Sequence, residues 1–399
     1  MSWKTQKLET VADFCLGKML DQKKNRGEPL PYLANLNVRW GEFDLADLRE
    51  MRFEQHELDR YGLKYGDIVM CEGGEPGRCA IWKEQCSSIM IQKALHRIRP
   101  HDCLRPEFLY YFFLYKGRTG HLASLFTGST IKHLPREKLA LVEVPVPPHS
   151  TQDQIASVLS AYDDLIENNR RRIQLLEQAA RLLYKEWFVH LRLPGHEHTQ
   201  IIDGVPEGWE DTLLPDVIDV NPKTPAEKGK EILYVPMSAL SEAGMTANTA
   251  DFERRTTHTA VKFKKSDVLL ARITPCLENG KTGYVYFLGD DEVACGSTEF
   301  IVLRGKRVSP AFTYCLARSY PFRGNAIKSM IGSSGRQRVQ ISCFDEYKVP
   351  LPHKHLLEMF DDIANTAFDQ IRVLVAQNDK LTKARDLLLP KLMNGEVAV

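Results

Sequence analysis

Two glycine- and serine-rich turns hold the residues whose chemistry is easiest to read. The first, GSTIKHLPREK from Gly128, carries Lys132, His133, Arg136 and Lys138. The second, GSSGRQRVQ from Gly332, carries Arg336, Gln337, Arg338 and Gln340. Two further loops share the character: Arg78 closes CEGGEPGR, and Lys281 lies in ENGKTG. Gly and Ser let backbone N–H groups approach phosphates, Arg forks onto guanine edges, and Gln pairs with adenine. The candidate nucleic-acid contacts are therefore Arg78, Lys132, His133, Arg136, Lys281, Arg336, Gln337 and Arg338. For any one of them an ordinary solvated basic loop is the alternative. Recurrence of such turns at equivalent places favours contact for the set.

Catalytic signatures are missing from the sequence. There is no G-x-x-x-x-G-K-[ST] phosphate loop, H-E-x-x-H pair or G-x-S-x-G elbow, and Asn221-Pro222-Lys223 is not an N-P-P-Y methyltransferase motif. Across a whole chain this favours a binding scaffold over an enzyme. The nine cysteines are scattered without a C-x-x-C pair, against a zinc ribbon or a disulfide framework. His196 and His198 sit in LPGHEHTQIIDGVPEGW, a stretch that reads as a solvated linker and not a metal site. The formal charge is +1, so any nucleic-acid contact must be local or shared with a partner. MSWKTQKLETVADF lacks the apolar core of a signal peptide, and no run is apolar enough to span a bilayer, which favours the cytoplasm.

Elements that position these turns are announced by a repeat. VEVPVPPHSTQDQIASVL from Val142 returns as YKVPLPHKHLLEMFDDIA from Tyr347, with Val144 and Val349 205 positions apart. Trp3, Leu8 and Val11 return as Trp209, Leu214 and Val217, an offset of 206. Pro106, Phe108 and Tyr110 return as Pro310, Phe312 and Tyr314, an offset of 204. Asp67-Ile68-Val69 resembles Asp267-Val268-Leu269, and the GST of Gly128 to Thr130 resembles the GSS of Gly332 to Ser334. Ordered matches at a nearly constant offset mean two homologous globular domains, each followed by a helix.

Each helix carries a coiled-coil seam. In the first, Ile155, Leu159, Tyr162, Ile166, Asn169, Ile173, Leu176, Ala180, Leu183 and Trp187 alternate steps of four and three. The second repeats the spacing through Phe360, Ala364, Ala367, Ile371, Leu374, Asn378, Leu381, Arg385, Leu388 and Leu392. Asn169 and Asn378 either fix register or are tolerated half-exposed residues. Helices this long with one apolar stripe need a partner, and the copy within the chain is the obvious one. Pro390 predicts an end or a kink. Strand-like YGLKYGDIVM, AVKFKKSDVLLARI, KTGYVYF and STEFIVLRG, with buried helices PEFLYYFFLYKG and PAFTYCLARSY, make each domain α+β. The expected layout is a domain over 1–150, a helix over 151–194, linker and second domain over 195–352, and a helix over 353–399.

This architecture resembles the specificity subunit of type I DNA restriction–modification enzymes. The resemblance covers the whole chain and is carried by VPVPPHSTQDQIASVLSAYDDLIENN, LLYKEWFVHLRLPGHE, VPEGW and LLPKLMNGEV. It implies two target recognition domains, each reading one half of a bipartite double-stranded DNA target, and two antiparallel helices that set the unread gap. It also implies that two methyltransferase subunits dock on the helical region and that restriction–translocation subunits join them. S-adenosylmethionine, ATP and Mg²⁺ would then belong to the partner subunits, with no cofactor, catalysis or membrane contact in this chain. A helical turn of about 5.4 Å set against about 3.4 Å per base pair means that one added turn changes the preferred gap by roughly one to two base pairs. A related two-subunit system with a fused methyltransferase–nuclease partner, a coiled-coil scaffold without sequence reading, and an independent nuclease remain as alternatives.

Overall fold

Alternating apolar steps of four and three residues become two long helices. A computed structural model describes residues 3–21, 25–202, 204–227, 229–256, 260–333 and 335–397. Its principal helices are α1 (Pro106–Arg118), α2 (His149–Tyr184), α3 (Pro310–Arg318), α4 (Tyr320–Lys328) and α5 (Lys354–Met393). Proline in the first turn opens α1 and α3, and Ser309 caps α3 by accepting from the Phe312 N–H at 3.0 Å. With 36 and 40 residues, α2 and α5 are about 54 and 60 Å long at about 1.5 Å per residue. No helix among the described residues is long and apolar enough to cross a membrane.

The chain divides into two compact units, Met1–Glu167 with Asp379–Val399, and Asn168–Asn378. The unit boundary cuts through both long helices, whereas the sequence reading assigned each helix to a segment of its own. Part of α2 and part of α5 thus belong to each unit.

In the first unit a four-stranded antiparallel sheet has the order Ala12–Leu16, Leu95–Pro100, Ile68–Cys71, Cys79–Ile81. A second sheet has Glu28–Leu33 between Arg49–Phe53 (antiparallel) and Met90–Ile91 (parallel). Phe108, Phe112 and Phe113 of α1 share one core with Ile68 and Ile98 of the sheet, Ile155 and Leu159 of α2, and Leu389 and Leu392 of α5. Burial of such side chains stabilises by about 1.5–3 kcal/mol each, so the long helices are part of the domain's core and not an appendage to it.

The second unit repeats the plan. Its first sheet has the order Ile218–Val220, Phe300–Gly305, Val268–Ala271, Thr282–Tyr284. Its second has Glu253–Arg255, Ile232–Val235, Val293–Gly296, Val261–Lys264. The matched aspartates do the same work in both. Asp67 accepts a fork from Arg99 at 2.7 and 2.6 Å and the Lys64 N–H at 2.7 Å. Asp267 accepts a fork from Arg304 at 2.7 Å for each bond and the Lys264 N–H at 2.8 Å. The preceding residue has positive φ in both, 85° at Gly66 and 70° at Ser266.

The repeated V-P-x-P phrase is a closing strand. Glu143–Pro145 pairs antiparallel with Thr5–Lys7, and Lys348–Leu351 pairs antiparallel with Glu210–Leu213. Each pairing zips the end of a domain to its beginning and delivers the chain into a long helix. Proline is tolerated because these are edge pairings.

Within the second unit the helix segments run antiparallel. Asn169 Nδ2 donates to Asn378 Oδ1 at 3.0 Å, while Phe360, early in α5, packs on Tyr184 and Trp187. The first unit has the same sense, with Arg385 of α5 donating to Asp163 of α2. Ile155, Leu159, Ile166, Asn169, Ile173, Ile371 and Leu374 are buried, whereas Leu176, Leu183, Asn378, Leu381 and Leu388 are half-buried.

Two helix ends depart from expectation. A π-turn over Lys185–Val189 follows α2 and buries both Trp187 and Phe188, where the four–three spacing places only Trp187 inward. Pro390 neither ends nor sharply breaks α5, which runs on to Met393. Near a C-terminus the ring removes a single donor, and the Pro390 carbonyl still accepts from the Asn394 N–H at 2.9 Å.

Candidate nucleic-acid interface

Backbone geometry gathers most of the candidate residues into one construction, built twice. In the first unit the strand Ile68–Cys71 runs out into the glycine-rich loop of Glu72 to Arg78. A hairpin from Thr127 to His133 folds back onto it. Thr127 and His133 exchange N–H···O bonds of 2.8 Å each way, His133 bridges to Gly73, and the Leu134 N–H donates to the Glu72 carbonyl at 2.8 Å. Gly128 makes the turn (φ 93°), because a Cβ there would lie 2.2 Å from the Ile131 carbonyl oxygen.

In the second unit the strand Val268–Ala271 runs out into the loop that ends at Lys281. The hairpin is Ile331 to Arg338, whose N–H···O bonds are 3.1 and 2.9 Å. Arg338 bridges to Ile273, and the Thr274 N–H donates to the Gln337 carbonyl at 3.0 Å. His133 and Arg338 therefore occupy the same place. Ser334, at the end of the matched GSS, lies outside the described residues.

Charge differs along each hairpin. Lys132 and Arg336 are exposed and carry no ion pair among the described residues. His133 Nδ1 lies 3.3 Å from Glu72 Oε1. Arg338 forks onto Glu299, with Nε–Oε1 at 2.9 Å and Nη2–Oε1 at 2.7 Å, and this bonding raises the guanidinium's pKa. A carboxylate behind each of these side chains orients it, and at Arg338 it also offsets the charge.

Three candidates sit apart from the hairpins' exposed sides. Arg78 is committed inside its own loop, where Nη1 donates to Glu75 Oε2 at 2.6 Å and Nη2 to the Asn35 carbonyl at 2.9 Å. With its side chain only 14% exposed it braces the loop and presents no free fork. Arg136 opens a short helix (Arg136–Ala140), with its guanidinium 5.0 Å from the centre of the Phe14 ring. Lys281 is half-buried and donates from Nζ to the Met237 carbonyl at 3.3 Å. Gln337 is held through its backbone, its N–H donating to Thr274 Oγ1 at 3.0 Å.

Sequence reasoning missed Ile131 and Ile331, which stand 64% and 67% exposed on the two hairpins. Their only signal was an isoleucine beside each glycine–serine turn. It also missed His96, fully buried beneath the first hairpin, with Nε2 2.8 Å from the Leu134 carbonyl. Burial lowers the pKa of this ring, so at neutral pH it is uncharged and donates through Nε2. Among the described residues no group of three His, Cys, Asp or Glu could hold a metal ion.

The two α+β domains are fixed to α2 through paired tyrosine–carboxylate bonds. Tyr111 donates to Asp163 Oδ2 at 2.8 Å in the first unit, and Tyr314 to Glu177 Oε1 at 2.7 Å in the second. Glu177 Oε2 also accepts the Met245 N–H at 2.8 Å.

The family model for the type I restriction modification DNA specificity domain matches the chain twice, over residues 2–178 and 206–363. The chain belongs to that family. The two matches coincide with the two repeats, so each hairpin-on-loop construction lies in its own specificity domain. The chain is 25% identical over its full length to the MjaIX specificity subunit of Methanocaldococcus jannaschii, 94% of which is covered. It is 32% identical to the Escherichia coli EcoEI specificity subunit over 154 residues, 37% of this chain and 26% of that one. Among solved structures, the S subunit of a type I restriction–modification system from M. genitalium matches 98% of this chain and 96% of its own. The TM-score is 0.55 and the identity 16%, which is a likeness of fold.

Proposed function

We propose that this chain is the sequence-reading subunit of a type I restriction–modification assembly, with each specificity domain reading one half of a bipartite duplex target. The observation that carries the reading is the hairpin seated on a glycine-rich loop, built once per domain. Each presents a free cation, a carboxylate-backed cation or imidazole, and an exposed isoleucine. Lys132 and Arg336 supply phosphate contact, whose free energy comes from counterion release. Arg338 and His133, oriented by Glu299 and Glu72, meet base edges or phosphates, and Ile131 and Ile331 offer apolar contact of the kind that meets a thymine methyl. Arg78 and Lys281 contribute by holding the loops in shape, and Arg136 by its charge.

Methylation and cleavage belong to partners in this reading. Leu175 and Leu182, seven residues apart on α2, are 56% and 58% exposed, and Ile363 and Val373 of α5 are 54% and 49% exposed. Apolar side chains left outward on helices whose other faces are already buried suit docking of methyltransferase subunits. Those subunits would bring S-adenosylmethionine, and restriction–translocation subunits ATP and Mg²⁺. The near-neutral chain fits shared phosphate contact.

Genome-wide adenine methylation, read with and without this gene in cells expressing its methyltransferase, tests the proposal. Loss of one bipartite motif on deletion is the expected result. An unchanged methylome would sink it.

A further inference from the structure

A cavity of about 760 Å³ opens in the second unit between the last turns of α2 and the junction of α3 with α4. Its charges do not balance. Arg181, Lys185, Arg318 and Arg323 all line it, and none of its lining residues is an Asp or Glu. Arg318 is only 7% exposed. It donates from Nη1 to the Glu242 carbonyl at 3.1 Å and to that of Gly280, and from Nη2 to that of Ala243 at 3.1 Å. Arg323 donates from Nη2 to the carbonyls of Leu277 and Glu278 at 3.0 and 2.8 Å. Both arginines leave a buried Nε without a partner among the described residues. The two guanidiniums flank one point of the chain, since a carbon built on Gly280 would lie 3.3 Å from the Nη1 of each.

One counter-charge is present: Glu177, 3.6 Å from Arg181, also accepts from Tyr314 and Met245. Lys185, Arg318 and Arg323 have no carboxylate partner among the described residues. Burial, then repulsion from Arg318 and Arg181, lowers the pKa of the Arg323 guanidinium. Carbonyl dipoles solvate these cations without neutralising them, and buried charge lacking a counter-ion is costly. Such a cluster is stable when an anion completes it.

Taking the functional reading above as given, we propose that this cavity receives a carboxylate side chain of the methyltransferase partner, carried on a segment with apolar neighbours. The walls decide between an acidic peptide and a DNA phosphate. Tyr320, 87% exposed, and Leu182, 58% exposed, belong to the cavity's lining. A phosphate on a hydrated backbone has no use for them, whereas a peptide buries them beside its acidic residue.

The test uses the full-length chain and the methyltransferase subunit encoded with it. Lys185→Glu, an exposed position, is expected to weaken assembly by about tenfold. Tyr320→Ala is expected to weaken it severalfold, and Lys185→Arg to leave it intact. DNA binding by the free chain at low salt should not change, and the melting temperatures of the variants should match that of the unaltered chain. Unchanged assembly with a shallower salt dependence of DNA binding would assign the cavity to a DNA phosphate and overturn the proposal. Unchanged assembly and unchanged DNA binding would overturn it as well. Failure of the unaltered chain to assemble would instead overturn the functional reading, and this inference with it.

Discussion

Arg336→Ala separates a phosphate contact from a solvated loop residue. The side chain is exposed on the second hairpin and has no ion pair among the described residues, so its removal leaves no orphaned partner. As a phosphate contact it lowers the slope of log K against log salt by about 0.9. Across a fourfold rise in salt, the variant should then lose roughly threefold less affinity than the unaltered chain. At fixed salt a charge-assisted hydrogen bond of about 1.5–3 kcal/mol corresponds to roughly 10- to 100-fold in affinity. Arg338→Ala differs in kind. It frees the Glu299 carboxylate that the arginine now holds at 2.7 Å, adding repulsion to the loss, so Glu299→Gln on that background should recover part of it. The assay is fluorescence anisotropy of the assembled methyltransferase complex on a duplex carrying its methylated motif, from low to moderate salt, with the methylome read in parallel. Substitutions at Arg338 should relax one half of the motif and those at His133 the other, whereas loss of the phosphate contacts Arg336 or Lys132 should weaken binding without relaxing either half. The reasoning is refuted if affinity and slope do not move, or if one hairpin's substitution alters both half-sites.

Four further outcomes are expected. Asp267→Asn breaks a fork onto Arg304 that is itself 22% exposed, and should cost about 3 kcal/mol, seen as a drop of roughly 10 °C in thermal melts. The unfolded chain protonates His96 near pH 6.5 and the buried ring only at lower pH, so this contribution to stability is complete above about 6.5 and fades as pH falls. Melts at pH 7.5 and 5 should show His96→Gln losing less between the two than the unaltered chain does. Replacing Asn169 and Asn378 together by Leu should raise stability by about 1 kcal/mol at the expense of register, and a lower denaturation midpoint would contradict it. Adding one turn to both long helices should lengthen or shorten the unread gap by roughly one to two base pairs, and variants that methylate sites with an unchanged gap would contradict it.

Much of the architecture was open to reading because it is written in period and repetition. The four–three seams become α2 and α5, since an apolar stripe over more than thirty residues has no other way to leave water. Asp67 and Asp267 stand at equal places because each closes the same turn and takes the same arginine fork. The basic turns too were visible as composition. Which of their side chains are free was not. Arg78 and Arg336 look alike in a string of letters, yet one is spent on Glu75 and Asn35 and the other faces solvent.

What the sequence alone determined is therefore local and periodic: two copies, their α+β character, the helix seams, and turns where glycine lets the backbone bend. Tertiary structure decided everything that depends on groups distant in the chain. It seated the hairpin at Thr127 onto the loop at Gly73, divided each long helix between two cores, and set Arg318 and Arg323 on either side of Gly280. The physical reason is common to all three. Hydrophobic periodicity records which face of an element leaves water, whereas the partner of a charge or a backbone N–H is fixed only when separate segments pack together.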